Sequence, residues 1–273
     1  MTTEQRPGDD VADTSAPGVR RNRPGQRQSE IAEYVVQHGS ISANELAEMF
    51  HVSQMTVHRD LDELERRGVV RRYRGGVSAQ ASSVFESNVA YRLRAGRDAK
   101  AAMARHARTL IEPGMAVMLD DSTTTLELAR LLEDLTPLTV ITNFLETIKL
   151  LTGVRGIRLI ALGGEYAPTH DSFLGVPCIE AIEALRVDML FASTSAVSGN
   201  YAYHQEQEIV LVKRAMIAAA RRSVLMVDHT KLGKAALHRL APLSDVDLVV
   251  TDTKAPEDAL LEMRENAVAY VAV

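Results

Sequence analysis

The sequence predicts a two-part α/β chain, a small and mostly helical N-terminal module joined to a larger domain on a mostly parallel sheet. Three patterns carry that expectation. Residues 24–78 hold three short amphipathic helical periods and then a stretch that alternates apolar and basic positions. From residue 96 onward, short apolar runs alternate with helical periods. Those runs end repeatedly in polar residues, as strands do at the carboxyl edge of an open α/β sheet. At 273 residues the chain has room for two domains of ordinary size.

Residues 1–23 are polar and rich in Pro, Gly, Asp and Arg, and read as a disordered leader. From Gly25, Ile31, Tyr34 and Val35 recur at helical spacing until His38 and Gly39. Ser42 and Glu45 form a capping box that opens a second, two-turn helix carrying Leu46, Ala47 and Phe50 on one face. Ser53 caps a third helix in which Val57, Leu61 and Leu64 face inward before Gly68 ends it. Two short helices joined at His51 and Val52 have the proportions of a helix-turn-helix. Val69 to Arg74 then alternates, and Gly75-Gly76 supplies a turn, so a hairpin wing follows over residues 69–78.

With the apolar stripe inward and about 100° per residue, Met55, Arg59, Asp62 and Arg66 point outward, flanked by Thr56 and His58. That surface suits the major groove of duplex DNA. Ser53 and Thr56 offer hydroxyls to phosphate, Arg59 a contact to phosphate or guanine, and Gln54 a bidentate pairing with adenine. Arg71, Arg72 and Arg74 on the wing would flank the duplex. Net charge is -5, yet residues 20–80 carry ten Arg against eight acids, and Arg66 to Arg74 hold five Arg and no acid. The asymmetry favours an anionic partner for the N-terminal module alone.

Residues 79–95 read as a connector and residues 96–273 as the larger domain. Its strands are expected at Ala116–Leu119, Leu138–Ile141, Ile157–Leu162, Met189–Ala192, Val224–Val227 and Leu248–Val250. They end in turn at Asp120-Asp121, Thr142-Asn143, Gly163-Gly164, Ser193-Thr194, Asp228 and Thr251-Asp252. One small-molecule site is expected on that rim. Its best-defined piece is Asp120-Asp121-Ser122-Thr123-Thr124-Thr125, where Thr124 and Glu127 can close a capping box and first-turn amides can receive an anion. Lys213, on a helix from Glu206 to Ala220, falls inside the apolar stripe with Ile209, Met216 and Ala220. A lysine there either snorkels or meets an anion. Lys231, three residues after Asp228, is a second cation on the same rim, and the set suits a phosphorylated ligand.

Other classes recede. A single cysteine, Cys178, allows no internal disulfide and fits a cytoplasmic setting. No stretch is apolar for long enough to span a membrane. The motifs of phosphate-binding loops, dinucleotide-binding turns and zinc proteases are missing, so no cofactor and no metal is expected.

The run Glu45-Leu46-Ala47, Val52 to Leu61, Leu64-Glu65, Gly68 and Arg72 to Gly76 resembles the DNA-binding signature of the DeoR-type transcriptional regulators. His58-Arg59 stands where that signature usually has two arginines. Asp120 to Thr125, Thr142-Asn143, Gly163-Gly164, Gly175, Lys213-Arg214, Asp228, Lys231 and Gly233 resemble the family's effector domain, with Ser122 in the place of a usual glycine. Together the matches cover about residues 24–252. The resemblance implies a winged helix-turn-helix regulator of sugar catabolism, usually a repressor, that binds operator DNA as a homodimer or homotetramer. A phosphorylated sugar would act on a C-terminal domain distantly similar to sugar-phosphate isomerases. The alternative reading is a sugar-phosphate isomerase with an appended helical module.

Overall fold

The computed structural model describes residues 24–38, 40–66, 70–73, 75–79 and 89–273, in two compact units, 1–80 and 81–273. The expected leader, Gly68 and Arg74 lie outside the described residues.

In the first unit α1 (Pro24–His38), β1 (Ser40–Ser42), α2 (Ala43–Met49) and α3 (Gln54–Arg66) precede the hairpin of β2 (Val70–Tyr73) and β3 (Gly76–Ala79). Ser42 caps α2, and its backbone amide in turn donates to the Glu45 carboxylate at 2.9 Å, completing the expected box. Ile31, Val35, Leu46, Val57, Leu61, Leu64, Val70 and Val77 form the core, while Tyr34, Ala47 and Phe50, also read as inward, are half-buried. Only two strands were expected, but β1 pairs antiparallel with β3 and makes a three-stranded wing, β1-β3-β2. Gly76 is fixed by that closure, because a Cβ there would stand 2.7 Å from the Ile41 carbonyl oxygen. A buried ion pair joins α1 to α3: Arg27 Nε lies 2.6 Å from Asp60, whose other oxygen accepts from Gln28 at 3.0 Å.

The second unit begins with α4 (Val89–Arg92), a turn formed inside the stretch read as connector, and α5 (Arg97–Arg108). Then come β4 (Ala116–Leu119), α6 (Thr123–Ala129), β5 (Leu138–Thr142), α7 (Leu145–Leu151) and β6 (Ile157–Ala161). A hairpin of β7 (Glu165–Ala167) and β8 (Ser172–Leu174) leads to α8 (Val176–Glu183) and β9 (Val187–Ala192). After β10 (Ala196–Ser198), β11 (Tyr201–His204) and α9 (Gln207–Ala219), the chain adds β12 (Ala220–Met226), β13 (His238–Pro242) and β14 (Leu248–Thr251). It ends with α10 (Glu257–Glu265) and β15 (Tyr270–Ala272).

Seven strands form one sheet in the order β15-β14-β12-β9-β4-β5-β6, with every pairing parallel. Helices cover both faces. Met103, Ala107, Leu128 and Leu151 pack on one side, and Cys178, Ile182, Ile209 and Met216 on the other. From β4 the chain runs outward through β5 and β6, then returns at β9 on the opposite side of β4. The crevice at the carboxyl ends of β4 and β9 is therefore the topological switch point, where such sheets receive ligands. A smaller antiparallel sheet, β10-β11-β13, and the β7-β8 hairpin were not expected from the sequence.

Candidate functional site

The exposed surface of the first unit is organised around α3. Ser53 Oγ accepts from the Thr56 amide at 3.3 Å and lies 2.9 Å from the Thr56 hydroxyl, so these two residues share the first turn. Gln54 donates to Asn44 Oδ1 at 2.8 Å, tying α3 to α2. Met55 is 65% exposed and Arg59 is exposed beside it. His58 and Arg72 are only half exposed, because His58 Nδ1 meets Arg72 Nη2 at 2.8 Å and Arg72 also pairs with Asp62. Arg71 is exposed on the same strand, while Arg74 lies outside the described residues. Of the two wing arginines described, Arg71 has the freer head group.

In the second unit the rim converges at the switch point. Asp120 and Asp121, at the end of β4, are almost fully buried, and Lys213 of α9 is 3% exposed between them. Lys213 Nζ pairs with Asp120 and lies 3.0 Å from Asp121. The anion that this buried lysine meets is thus supplied by the chain itself. Asp120 further accepts from the Ser193 amide at 2.7 Å, the Ser122 amide at 3.0 Å and the Thr125 hydroxyl at 2.9 Å. Asp121 accepts from Ser172 at 3.1 Å. Burial would raise the Asp121 carboxyl, but Lys213, Arg92 and His170 outweigh it and hold the group below the usual carboxylate range. Lys213 is likewise held above its ordinary value, since Asp120 and Asp121 overcome the burial that opposes its charge.

The helix cap differs from the expected one. Ser122 is the N-cap of α6 and accepts from the Thr125 amide at 3.1 Å, whereas Thr124 sits within the helix and Glu127 pairs with Arg130 at 3.4 Å. Serine in place of the glycine that the resemblance leads one to expect therefore supplies a cap that glycine could not. Thr123 lies buried with its hydroxyl donating to the Arg92 carbonyl at 3.0 Å.

Thr142 is buried and accepts from the Phe144 amide at 3.1 Å, a local turn contact. Asn143 donates to the Phe173 carbonyl at 2.9 Å, while its Oδ1 is buried with no hydrogen-bond partner among the described residues. Gly164 has φ +148°, and a Cβ there would lie 2.2 Å from the Leu174 carbonyl oxygen, so its role is to let the β7-β8 hairpin close. Gly163 faces open space. Asp228 caps the turn that carries Lys231, accepting from Thr230 N at 2.9 Å. Beside that turn, His229 lies 2.8 Å from Asp252.

Several rim residues escaped the sequence reading. Lys100 is buried on α5, donating to the Arg92 carbonyl and to Thr123 Oγ1 at 2.9 Å. Burial holds it down to about 8, with Asp228 opposing and Arg92 and Lys231 reinforcing. Its helical companions Met103, Ala104 and Ala107 are all buried, so the same stripe test that found Lys213 could have found it. Arg92 projects from a single turn of helix in a polar stretch and had no periodic signal. His170 lies 2.8 Å from Glu206, and His204 accepts from the Glu206 amide at 3.2 Å. Among the described residues no group of three or more His, Cys, Asp or Glu is arranged to hold a metal ion, and no helix is long and apolar enough to cross a membrane.

Residues 27–83 match the model of the DeoR-like helix-turn-helix domain, and residues 96–253 match that of the DeoR C-terminal sensor domain. The chain belongs to the DeoR family. It is a DeoR-type transcriptional regulator along its length: the HTH-type regulator YgbI of Escherichia coli (strain K12) is 34% identical over 86% of this chain and 92% of its own. The putative aga operon transcriptional repressor of Escherichia coli O157:H7 is 29% identical, covering 96% and 99%. The glycerol-3-phosphate regulon repressor of Escherichia coli (strain K12) is 30% identical, covering 88% and 96%. Among solved structures, the translation initiation factor eIF-2B of Pyrococcus horikoshii OT3 overlays 85% of this DeoR chain and 90% of its own, at TM-score 0.45 and 12% identity. Ribose 5-phosphate isomerase A of Methanocaldococcus jannaschii overlays 50% and 55%, at TM-score 0.37 and 20% identity.

Proposed function

We propose that this DeoR-family chain represses a sugar catabolic operon, and that a phosphorylated sugar bound at the β4-β9 crevice controls its hold on operator DNA. The observation that carries the reading is the presence, in one chain, of both family domains in order, with similarity to named repressors over most of their length. Ser53, Gln54, Met55, Thr56, His58 and Arg59 would enter the major groove, with Arg71, Arg72 and Arg74 along its flank. Asp120 to Thr124, Thr142, Asn143, Lys213, Asp228 and Lys231 would shape the effector site, with Gly163 and Gly164 giving the chain its turn beside it. A ligand that binds one arrangement of the protein better than another shifts the population between them, which is the whole requirement for control.

The site supports binding better than turnover. Proton transfer from a sugar carbon needs a carboxylate or amine free to exchange protons near neutral pH. Asp120 and Asp121 are instead committed to Lys213, and Asp121 is held ionised by it. That commitment supports a regulator over an isomerase, and the buried rim amine Lys100, held down to about 8, is likewise engaged, donating to the Arg92 carbonyl and to Thr123. Recognition of paired half-sites calls for a homodimer or homotetramer in the cytoplasm, where the operator is.

Binding of the full-length protein to DNA from upstream of its own gene and neighbouring operons tests the reading, at one stated salt concentration and with a panel of sugar phosphates. Specific binding released by one sugar phosphate is expected, with a dimer or larger assembly by light scattering. Absence of specific binding, together with turnover of a pentose or hexose phosphate, would replace this reading with the isomerase.

A further inference from the structure

The cations on the rim differ in how much of their hydrogen-bonding capacity the protein uses. Lys213 has two buried carboxylates against it. Lys100 donates to a carbonyl and a hydroxyl. Arg92 is different: Nη1 makes one long contact, 3.4 Å to the Asp121 carbonyl oxygen, while Nε and Nη2 are sealed from solvent and have no hydrogen-bond partner among the described residues.

Nε and Nη2 lie on one edge of the guanidinium plane, so their N–H bonds run parallel at the spacing of two oxygens on one phosphoryl or carboxyl group. The edge is also held in place. The Arg92 carbonyl accepts from Lys100 and, at 3.0 Å, from Thr123, and α4 is moored where the Val89 amide donates to the Thr169 carbonyl at 3.0 Å. Burial pushes the guanidinium down, while Asp121, Asp120 and Glu206 act to keep it charged. A buried, ionised and fixed fork with its paired donors unused is a receptor for an oxyanion.

We propose that Arg92 is the anion anchor of the strand-end site, gripping the phosphoryl group of the effector side-on through Nε and Nη2, and that Lys213 is scaffold rather than ligand contact. This rests on the reading of the second unit as a sugar-phosphate sensor. Asn143 Oδ1, buried on the same rim without a donor among the described residues, complements it with an acceptor for a sugar hydroxyl. Arg92 stands on the first described element after β3, so the ligand would be read where the chain enters the second unit.

Titration calorimetry of the full-length protein separates this proposal from the reading beneath it. The probes are ribose 5-phosphate, glucose 6-phosphate, glycerol 3-phosphate, inorganic phosphate, and ribose, glucose and glycerol. For whichever phosphorylated compound binds wild type most tightly, Arg92→Gln is expected to raise Kd at least roughly 30-fold, with any affinity for the unphosphorylated partner unchanged. Arg92→Lys should recover only part of the loss, since an ammonium presents one point charge in place of two parallel donors. Binding of inorganic phosphate that is lost in the same variants would also support an anchor reading the anion alone. Wild-type affinity in Arg92→Gln overturns the anchor and leaves the sensor reading standing. Wild-type protein that binds none of the phosphorylated probes, or binds the free sugar equally well, overturns the sensor reading and the anchor with it. Should Arg92→Gln fail to fold, Arg92→Lys decides: a loss confined to phosphorylated probes supports the anchor, and parity with wild type overturns it.

Discussion

His58 Nδ1 stands 2.8 Å from Arg72 Nη2, and the other arm of that guanidinium meets Asp62, so the wing strand is fastened to the recognition helix through one arginine. The backbone adds to it, with the Arg72 amide donating to Glu65 at 3.1 Å. A histidine where the family signature usually has arginine therefore acts as a contact between elements, and Arg72 serves the fold as well as the surface.

Arg71 and Arg72 should consequently fail in different ways. Arg71→Ala is expected to weaken binding to every DNA sequence and to reduce the slope of log affinity against log salt by about one, since a phosphate contact releases about one counterion. Arg72→Ala should loosen the wing, lowering resistance of the first unit to proteolysis as well as affinity. Equal salt slopes in the two variants would show that the clamp does not distinguish them.

Asp60→Asn should be among the most damaging changes in the first unit. It leaves Arg27 buried against a neutral partner, and breaking a buried ion pair from one side costs about 3–5 kcal/mol. Thermal unfolding of the full chain should show early loss of the N-terminal transition. A shift no larger than that of a surface substitution would mean that solvent reaches Arg27.

Lys213→Met is expected to destabilise the second unit by about 3–5 kcal/mol, because Asp120 and Asp121 then face each other in the sheet crevice with no cation between them. Adding Asp121→Asn to the same protein should recover part of the loss. Urea midpoints of the two variants measure both effects, and additive losses would contradict the coupling.

Burial, with Lys213 close by, holds the His204 imidazole down to about 3 from its ordinary 6.5. Unfolded chains take up that proton as pH falls through 6.5, while the folded protein resists until about 3. Stability from this residue is therefore complete above the upper value and drains away between the two. The melting temperature of His204→Asn should fall less than that of wild type between about pH 7 and pH 4. Parallel curves would place the imidazole in contact with water.

Gly164→Ala should cost at least about 2 kcal/mol, through both its backbone angle and the Leu174 carbonyl, whereas Gly163→Ala should stay within about 0.5 kcal/mol. Comparing the two melting temperatures tests whether the pair is a turn device or a ligand contact, since a contact at Gly163 would alter effector affinity instead.

The parts of the fold that were readable in sequence are those whose period repeats. The inward face of α3, six of the seven strands of the parallel sheet and the buried stripe carrying Lys213 all announce themselves by spacing. The small sheet β10-β11-β13 does not, because each strand is only three to five residues long and β13 is distant in the chain from its partner β11. The cap of α6 fell to Ser122, whose extended backbone lets its hydroxyl accept from the Thr125 amide, although only Thr124 has the glutamate three residues on that the capping-box rule asks for. Arg92 could not be found by period at all. Its significance comes from what surrounds its guanidinium, namely Asp120 and Asp121 at the end of β4 and Glu206 before α9, all distant from it in the chain.

The arrangement of Lys213 between Asp120 and Asp121 also bears on how this protein can change by descent. Replacing Lys213 alone strands two carboxylates in a buried crevice, at a cost comparable to much of the 5–15 kcal/mol margin of an ordinary domain. A lineage exploring new effectors can vary the rim around these three one residue at a time. The lysine can be lost only together with a carboxylate or behind a prior gain in stability, which makes it a fixed point around which specificity diverges.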